Sequence, residues 1–335
     1  MKSMLLITTG GTIASVQGAE GLRPGYSSAE LLRFVEGLNA YYRIDTQELL
    51  NLDSSNIQVD EWIAIARAIH AALPKYDGVV ITHGTDTMAY TASMVSFMLR
   101  GLKKPVVFTG SQMPIDNLLT DARNNLYTAF AAVGCGIPGV TVAFNRRIIP
   151  GCRAVKVRTM GFEAFESVNA GYLGEVFADG LHPLCAIPRN PDSDVELRDS
   201  ICREVFLLKL VPGINPDVLT MLSRMRYRGI VIEAFGAGGM QFVRTNLLEH
   251  LRSLTAEGIA VVVCSQCLYE ASNLGIYEVG AKLLSCGVIS ARDMTTEAVV
   301  TKLMWALGQT GDPDGVRRIF ATSYCGEISL DAARR

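Results

Sequence analysis

The sequence has no excess of basic residues and no apolar run long enough to cross a bilayer. Its 335 residues carry 31 Lys and Arg against 33 Asp and Glu, a formal net charge of −2. A protein that binds nucleic acid by neutralising phosphates needs a basic surface, so we expect no nucleic-acid partner. Apolar runs such as residues 259–264 fall far short of the ~20 residues that span a membrane, so we expect no membrane partner either.

Targeting and disulfide signals are also scarce. The first seven residues run directly into the sequence TTGG, without the apolar core and small-residue cleavage site of a signal peptide. The eight cysteines are scattered singly. Cys264 and Cys267 have redox-motif spacing but lack the second pair of a zinc site, so we interpret them as ordinary thiols. Together these features predict reduced thiols, no metal and a cytoplasmic protein.

What the sequence does have is a large apolar fraction, 49% of its residues. Runs rich in Val, Ile and Leu, too short for helices, predict strands at residues 5–8, 49–52, 79–82, 106–109, 140–144, 205–210, 230–232 and 259–263. A capping box at Ser27 predicts a helix through Leu38, and an apolar stripe predicts another over 88–102. Continuously apolar strands alternating with helices predict an α/β fold with mostly parallel sheets covered on both faces.

The length suits two domains at ~150 residues each. A polar stretch with two prolines follows residue 186, before strands resume. We therefore predict a larger N-terminal α/β domain over residues 1–185, which carries the catalytic groups, and a linker over 186–204. A smaller C-terminal α/β domain follows over 205–335, closed by a helix around 296–307.

Polar residues follow four successive strands of the predicted N-terminal sheet. They read TTGGTIAS after the first strand, DSSN after the second, THGTDTM after the third and TGSQMP after the fourth. In an open parallel sheet ligands bind at the carboxyl ends of the strands, because the loops there carry polar groups and helix N-termini point into the same crevice. The sequence therefore predicts one polar cleft at this edge.

Thr12 is a candidate nucleophile in this cleft. Gly10 and Gly11 before it let the backbone approach a ligand, and their N–H groups can hold a developing oxyanion. The following stretch, 16–27, has the glycine and proline content of a closing lid. The alternative is a Gly-Gly turn whose threonine caps a helix, and for the motif taken alone this alternative is the simpler interpretation.

Two further segments add acids and hydroxyls. Asp86 offers a carboxylate for a substrate ammonium, and Thr85 a hydroxyl at the positive end of a helix. The run Asp53, Ser54 and Ser55 suits the charged ends of an amino acid. Each segment also has a structural explanation, since Thr85 or Asp86 can cap a helix and residues 53–55 can form a turn.

A general base is the remaining requirement. His83 is at the cleft but is expected to point away from it, and no GxSxG motif supports a Ser-His-Asp hydrolase. A lysine can act as a base when burial disfavours its charged form, and Lys156, which follows the 140–144 strand, is the candidate. The alternative interpretation is a solvated charge in a basic stretch with Arg153 and Arg158.

The segments TGGTIAS at 9–15 and HGTDTM at 83–88 resemble the two signatures of the bacterial-type L-asparaginases. The spacing, the DSS run, the sequence GSQMP at 110–114 and the length agree over essentially the whole chain, and the missing signal peptide resembles the cytoplasmic, type I branch. The resemblance implies hydrolysis of L-asparagine to L-aspartate and ammonia through an acyl-enzyme ester, without cofactor or metal. It also implies a homodimer or homotetramer, with L-glutamine as a weak second substrate.

The resemblance implies catalytic roles for the matching residues. Thr12 matches the nucleophile, and Thr85, Asp86 and Lys156 match a second polar group of the family. Asp86 also matches the position that holds the substrate α-amino group. A lysine base paired with Thr85 would make that threonine the first nucleophile instead, and we follow the family assignment to Thr12.

It implies binding and lid roles as well. Ser54 and Ser55 match positions that hold the substrate α-carboxylate, with Asp53 beside them. In related sequences the lid carries a tyrosine that contacts the nucleophilic threonine. This chain has Leu22 at that place, and Tyr26, four residues on, is the candidate replacement.

Some cytoplasmic relatives bind asparagine at a regulatory site near the segment that matches Ser265, Gln266 and Cys267. Glu233 takes a neighbouring strand end where a basic residue would suit an effector carboxylate, so we expect that this regulation is not retained. Two other functions stay open. One is glutamine hydrolysis, or ammonia supply to a tRNA-dependent amidotransferase; the other is a non-catalytic amino-acid sensor that kept the cleft.

Overall fold

The structure, a computed structural model, describes residues 1–18, 21–192, 194–244, 246–275 and 278–329. It divides into two compact units, Met1–Asp199 and Ser200–Arg335. The division lies inside the segment 186–204 that the sequence predicts as a linker. The domain bounds 1–185 and 205–335 stay a prediction.

In the first unit one large sheet carries most of the strands. The strands are β1 (Lys2–Gly10), β2 (Ser15–Gly18), β3 (Gly21–Pro24), β4 (Tyr42–Leu52), β5 (Gly78–Thr82), β6 (Leu99–Arg100), β7 (Pro105–Thr109), β8 (Gly139–Phe144), β9 (Arg147–Pro150), β10 (Ala154–Lys156), β11 (Phe165–Ser167), β12 (Gly174–Phe177), β13 (Gly180–Pro183) and β14 (Glu196–Leu197). The helices are α1 (Ser28–Arg33), α2 (Val59–Ala72), α3 (Met88–Met98) and α4 (Ala122–Cys135).

The large sheet has the strand order β13-β12-β9-β8-β7-β5-β1-β4. Strands β4, β1, β5, β7 and β8 run parallel, and β9, β12 and β13 continue the sheet antiparallel. Parallel neighbours need crossover connections. The helices α1, α3 and α4 lie in those from β1 to β4, from β5 to β7 and from β7 to β8. The carboxyl ends of the five parallel strands therefore share one edge.

Side chains alternate between the two faces of this sheet. Met4 and Leu6 of β1 belong to a buried cluster with Phe130 of α4 and residues of α1. Leu5 and Ile7 of the same strand are also buried and lie on the opposite face. Burying one such side chain stabilises the fold by about 1.5–3 kcal/mol, so the core on both faces holds the edge in place.

The second unit is a smaller parallel α/β layer. Its strands, which pair in sequence order, are β15 (Val205–Lys209), β16 (Gly229–Ala234), β17 (Ala260–Ser265) and β18 (Ile289–Ser290). Its helices are α5 (Asp217–Arg224), α6 (Leu247–Ala256), α7 (Glu278–Ser285), α8 (Thr296–Gln309) and α9 (Pro313–Ala321). The predicted fold class, two α/β units with mostly parallel sheets and the larger one N-terminal, is confirmed.

Two predicted helices are shorter than their sequence patterns. The capping box at Ser27 forms, but α1 ends at Arg33 rather than Leu38. Four residues later Gly37 has a left-handed φ of 95°, which does not continue a helix. The predicted helix that begins at 88 also ends early, at Met98, because the next two residues pair as β6 with β14. Pairing between distant segments therefore ends a helix that its own apolar stripe would continue.

In the described ranges no helix is long and apolar enough to cross a membrane. All eight cysteines lie in these ranges, and each is a free thiol. Burial raises the pKa of the Cys264 thiol to about 12. That thiol is therefore protonated at neutral pH and packs as a small apolar group.

Candidate active site

The loops that follow three strands of the first unit are in close contact, and glycines lie at the points of contact. Gly11, after β1, lies against Gly84, after β5, so closely that a Cβ on Gly11 would be 2.4 Å from the Gly84 nitrogen. A Cβ on Gly84 would be 2.6 Å from Oγ of Ser54, which follows β4. Gly11 also has a φ of 84°, which glycine adopts without strain. The loops after β1, β4 and β5 therefore touch.

Thr12 begins a single 3₁₀ turn, Thr12–Ala14, directly after this contact. The N-cap of the turn is Gly11, so Thr12 is not the cap that the alternative interpretation proposed. The Gly11 N–H donates to the Leu52 carbonyl at 3.1 Å. The expectation that this N–H is open to an oxyanion is therefore wrong, because the neighbouring strand already uses it; the glycine serves close packing instead.

Thr85, Asp86 and Lys156 form a hydrogen-bonded group. The Nζ of Lys156 lies 2.8 Å from Oγ1 of Thr85 and 2.6 Å from Oδ1 of Asp86. Thr85 is buried, while the side chains of Lys156 and Asp86 are 17% and 60% exposed. An amine in contact with a buried hydroxyl is suited to proton transfer. The alternative of a fully solvated Lys156 does not describe this side chain.

Lys156 reaches the group from a separate two-stranded sheet. Strand β10 pairs antiparallel with β11, and Lys156 lies opposite Phe165. The Phe165 ring packs on Phe144 at the end of β8, with 5.0 Å between the ring centroids. This packing carries the lysine from a distant part of the chain to the shared edge of the large sheet.

The loop after β4 supports the entrance to α3. Ser54 is buried; its Oγ accepts the Asp86 N–H at 3.3 Å, and its carbonyl accepts the Thr87 hydroxyl at 2.7 Å. Asp53 accepts the N–H of Ser55 at 2.8 Å, which is the turn geometry of the structural explanation. Asp53 and Ser55 are exposed, so parts of this loop stay open to a ligand.

The stretch predicted as a lid forms a hairpin of β2 and β3, and residues 19–20 of it lie outside the described ranges. The side chain of Leu22 is also outside the described part. The Tyr26 hydroxyl donates to Oδ2 of Asp116 at 3.1 Å, and its ring packs edge-on against Phe34. Desolvation and the Asp116 carboxylate raise the pKa of the Tyr26 phenol. Tyr26 is therefore protonated at neutral pH and bound to Asp116.

His83 is fully buried behind the site. Its Nδ1 lies 2.7 Å from the Gly84 carbonyl oxygen, and its Nε2 lies 2.9 Å from Oγ1 of Thr91. Since a carbonyl only accepts, Nδ1 carries the proton and Nε2 accepts from Thr91. Burial lowers the pKa of His83 to about 4. This neutral imidazole holds the backbone before Thr85.

Sequence reasoning gives no role to Gln112 or Asp121. In the structure Oε1 of Gln112 lies 3.3 Å from Oγ1 of Thr85, and the N–H groups of Gln112 and Met113 donate to the Asp121 carboxylate. Burial raises the pKa of Asp121, against the hydrogen bonds it accepts. The sequence signal for Gln112 was that GSQMP follows a strand end. That position does not indicate which side chain of the segment faces the site.

The second unit holds the segment predicted to match a regulatory site. Glu233 accepts the Thr296 hydroxyl at 2.6 Å. The Gln266 amide donates to the carbonyls of Leu210 and Glu233 at 2.7 and 2.9 Å. Cys267 is exposed. These polar groups bind one another, and the expected loss of regulation stays a prediction.

Hydroxyls, an amine and a carboxylate at one sheet edge can together carry out amide hydrolysis, with a hydroxyl as nucleophile and the amine as base. Among the residues that the structure describes, no set of three or more His, Cys, Asp or Glu side chains could hold a metal ion. Fold and site together define the class: a two-unit α/β amidohydrolase.

Known families agree with this class. The model of the asparaginase N-terminal domain matches residues 3–184, and that of the glutaminase/asparaginase C-terminal domain matches residues 204–320. The L-asparaginase of Thermococcus kodakarensis is 42% identical over 331 residues, which cover 97% of this chain and 99% of that protein. A glutamyl-tRNA(Gln) amidotransferase subunit of Pyrococcus horikoshii is 36% identical, with 98% of this chain and 77% of that protein covered. The chain belongs to the asparaginase family.

Solved structures show the same likeness. The Thermococcus L-asparaginase has a TM-score of 0.92 at 41% identity, covering 98% of this chain and 99% of that chain. L-asparaginase I of Vibrio cholerae has a TM-score of 0.87 at 31% identity, covering 98% and 99%. The probable cytoplasmic L-asparaginase of Campylobacter jejuni has a TM-score of 0.81 at 28% identity, covering 96% of this chain and 100% of that chain. The resemblance to bacterial-type L-asparaginases, indicated by the two threonine motifs, is confirmed.

Proposed function

We propose that this protein hydrolyses L-asparagine to L-aspartate and ammonia through an acyl-enzyme ester on Thr12. The observation that carries the proposal is the contact of Lys156 Nζ with Thr85 Oγ1 at 2.8 Å and with Asp86 Oδ1 at 2.6 Å. The amine, hydroxyl and carboxylate that the proposal uses are thus in mutual contact. The close approach of Gly11 to Gly84 supports a position near the turn that Thr12 begins. The names of the Thermococcus and Vibrio relatives support the substrate.

In the proposed reaction the Thr12 hydroxyl attacks the side-chain amide carbon of the substrate, the C–N bond breaks and ammonia leaves. Water then cleaves the ester, which releases aspartate and restores Thr12. The Thr12 proton passes through the Thr85 hydroxyl to the amine of Lys156 and is returned to the leaving nitrogen. In the second half the proton of the attacking water follows the same route and is returned to Thr12 Oγ1, while the Asp86 carboxylate stabilises the protonated amine. A positioned acid–base group of this kind contributes ~10²–10⁴-fold to the rate.

Substrate binding uses the exposed parts of the same loops. Asp86 is 60% exposed, so its carboxylate can meet the substrate α-ammonium while Oδ1 contacts Lys156. The α-carboxylate is held in this proposal by Ser55, which is exposed with Asp53 beside it. The hydroxyl of the neighbouring Ser54, which is buried and accepts the Asp86 N–H, completes that site. Tyr26, at the base of the β2–β3 hairpin, closes over the substrate by exchanging its bond to Asp116.

We also propose a cytoplasmic homodimer or homotetramer that turns over L-glutamine only weakly. The eight free thiols, all among the described residues, and the Campylobacter relative support the location. The family resemblance supports the assembly. The likeness to an amidotransferase component makes glutamine the substrate to compare.

Ammonia release from purified protein tests the proposal, with L-asparagine and L-glutamine at matched concentrations. We expect asparagine to be hydrolysed faster, Thr12→Ala to lose nearly all turnover while staying folded, and Thr12→Ser to keep part of it. Faster glutamine turnover would move the assignment to a glutaminase. Binding of asparagine without ammonia would support the sensor, and undiminished turnover by Thr12→Ala would remove Thr12 as the nucleophile.

A further inference from the structure

Gln112 lies between the Thr85 hydroxyl and the loop that follows Lys156. Its Oε1 is 3.3 Å from Thr85 Oγ1. Its Nε2 is 3.1 Å from the carbonyl oxygen of Thr159 and 3.1 Å from that of Gly161. One side chain thus joins the hydroxyl of the proposed proton-transfer group to the backbone after β10.

The direction of the Gln112 amide is determined by these contacts. Carbonyl oxygens only accept, so the amide nitrogen must face Thr159 and Gly161 and the amide oxygen must face Thr85. That oxygen carries no hydrogen. The bond between Gln112 and Thr85 therefore has one possible polarity: the Thr85 hydroxyl donates.

The backbone of Gln112 is also held. Its N–H lies 3.1 and 3.0 Å from the two carboxylate oxygens of Asp121. Asp121 is held in turn by the side-chain amide of Asn125 at 3.0 Å, which also binds the Gly110 carbonyl. The loop after β7 is therefore tied to the start of α4, and Gln112 projects from a fixed base.

Thr85 needs such an acceptor. When Lys156 is an ammonium it donates to Thr85 Oγ1 and Asp86 Oδ1, so the proton of the Thr85 hydroxyl has to point elsewhere. Thr85 is 6% exposed, and a buried hydroxyl without an acceptor is costly. Gln112 Oε1 supplies the acceptor. When the amine is neutral and accepts from Thr85, the hydroxyl turns from Gln112 to Lys156.

We propose that Gln112 is a positioning residue for Thr85: it holds the hydroxyl in the orientation from which proton exchange with Lys156 starts, and it ties the 159–161 loop to that hydroxyl. Its effect on turnover rests on the proposed function. Its effect on stability rests on the contacts alone. The proposed function can therefore fail while the proposed role of Gln112 in the structure still holds.

The kinetic test compares Gln112→Met, which has similar length and only a weak sulfur acceptor, with Gln112→Glu, which keeps an oxygen acceptor but loses the amide donors. We expect Gln112→Met to lower kcat for asparagine about tenfold, the effect of losing one hydrogen bond, with KM within about twofold, and Gln112→Glu to fall less. Gln47→Met, the same change on the exposed side of β4, is the control and should leave kcat unchanged. A normal kcat in Gln112→Met, equal losses in both variants, or a loss confined to KM would overturn the proposal.

A second arm needs no substrate. In urea unfolding, the shift in midpoint caused by Gln112→Met should be smaller in a Thr85→Val background, where the hydroxyl is already gone. Equal shifts in both backgrounds would overturn the hydrogen bond itself. If the unaltered protein releases no ammonia from asparagine, the proposed function fails, and this arm still decides the role of Gln112.

Discussion

Two lysine–carboxylate pairs with the same separation have different surroundings. Lys156 Nζ lies 2.6 Å from Asp86 Oδ1 in the first unit, and Lys302 Nζ lies 2.6 Å from Glu327 Oε1 in the second. The first pair is 17% and 60% exposed, whereas both side chains of the second are 0% exposed. The distance alone therefore does not distinguish the roles of the two pairs; the neighbouring groups do.

The neighbours of the second lysine include its carboxylate partner, a backbone carbonyl and two aromatic rings. Lys302 Nζ donates to the Thr322 carbonyl at 2.8 Å. The rings of Phe320 and Tyr324 lie 5.4 and 5.3 Å from it. This pair joins α8 to the turn after α9, and its charges are used for structure.

The Glu327 carboxylate also accepts hydrogen bonds from the backbone. The donors are the N–H groups of Tyr324 and Cys325. Burial alone raises the pKa of Glu327, but the Lys302 ammonium and these hydrogen bonds outweigh it and hold the pKa below its ordinary value. Glu327 therefore adds stability at neutral pH that is lost as the pH falls through its folded-state pKa.

The first lysine differs in having a hydroxyl as its neighbour. Thr85 can give a proton to Lys156 and take it back, which a carbonyl cannot do. The Asp86 side chain is 60% exposed, so one side of the first pair is open to solvent. A lysine pair at a strand edge with a hydroxyl neighbour is thus suited to chemistry, and a sealed pair with carbonyl and ring neighbours is suited to holding the fold.

Replacing the first lysine should affect activity most. We expect Lys156→Met to lower kcat for asparagine ~10²–10⁴-fold, because the proton acceptor of Thr85 is lost. The free energy of unfolding should change by about 1 kcal/mol or less, since the pair is partly exposed. Steady-state ammonia release and urea unfolding measure the two effects. An unchanged rate would mean that Lys156 is not the base.

Replacing the second lysine should have the opposite effect, with a large loss of stability and no loss of activity. We expect Lys302→Met to lower the free energy of unfolding by about 3–5 kcal/mol, because a buried carboxylate is left without its counter-charge, with kcat per folded molecule unchanged. The double variant Lys302→Met/Glu327→Gln, which removes the charge but keeps an acceptor for the Tyr324 N–H, should recover much of this loss. A single variant as stable as the unaltered protein would contradict the structural role.

Acid should reveal the contribution of His83, the buried imidazole behind the site, to stability. The pKa of His83 falls from an unfolded value of 6.5 to about 4, so the unfolded chain binds the proton first and stability is lost as the pH falls from 6.5 towards 4. At 1.36 kcal/mol per pH unit, His83 accounts for about 3 kcal/mol of that loss.

The variant His83→Asn keeps an N–H donor towards Gly84 and does not titrate. Its free energy of unfolding, measured in urea at pH 7 and pH 4, should fall less than that of the unaltered protein by about 3 kcal/mol. Glu327 contributes the same acid loss to both proteins and cancels. Identical pH dependence in the two proteins would mean that His83 is not held neutral.

The sequence allowed the architecture to be predicted because its signals are local. Short apolar runs gave the strands, and the shared edge of parallel strands gave a reason to expect polar residues after them to meet. The same reasoning went wrong at Gly11, whose N–H is taken by Leu52, and it gave no role to Gln112. Both depend on which neighbour the backbone or side chain meets, and no local pattern records that.

By itself the sequence determined the α/β class, the two threonine motifs and the family, since these follow from periodicity and from residue order. The resemblance grouped Lys156 with Thr85, although the sequence around the lysine is typical of a solvated basic stretch. Only the tertiary structure decided that the two side chains are in contact and that Lys302 of α8 is fully enclosed. The reason is physical: a charge acquires its role from the burial and the hydrogen-bond partners that distant segments bring to it.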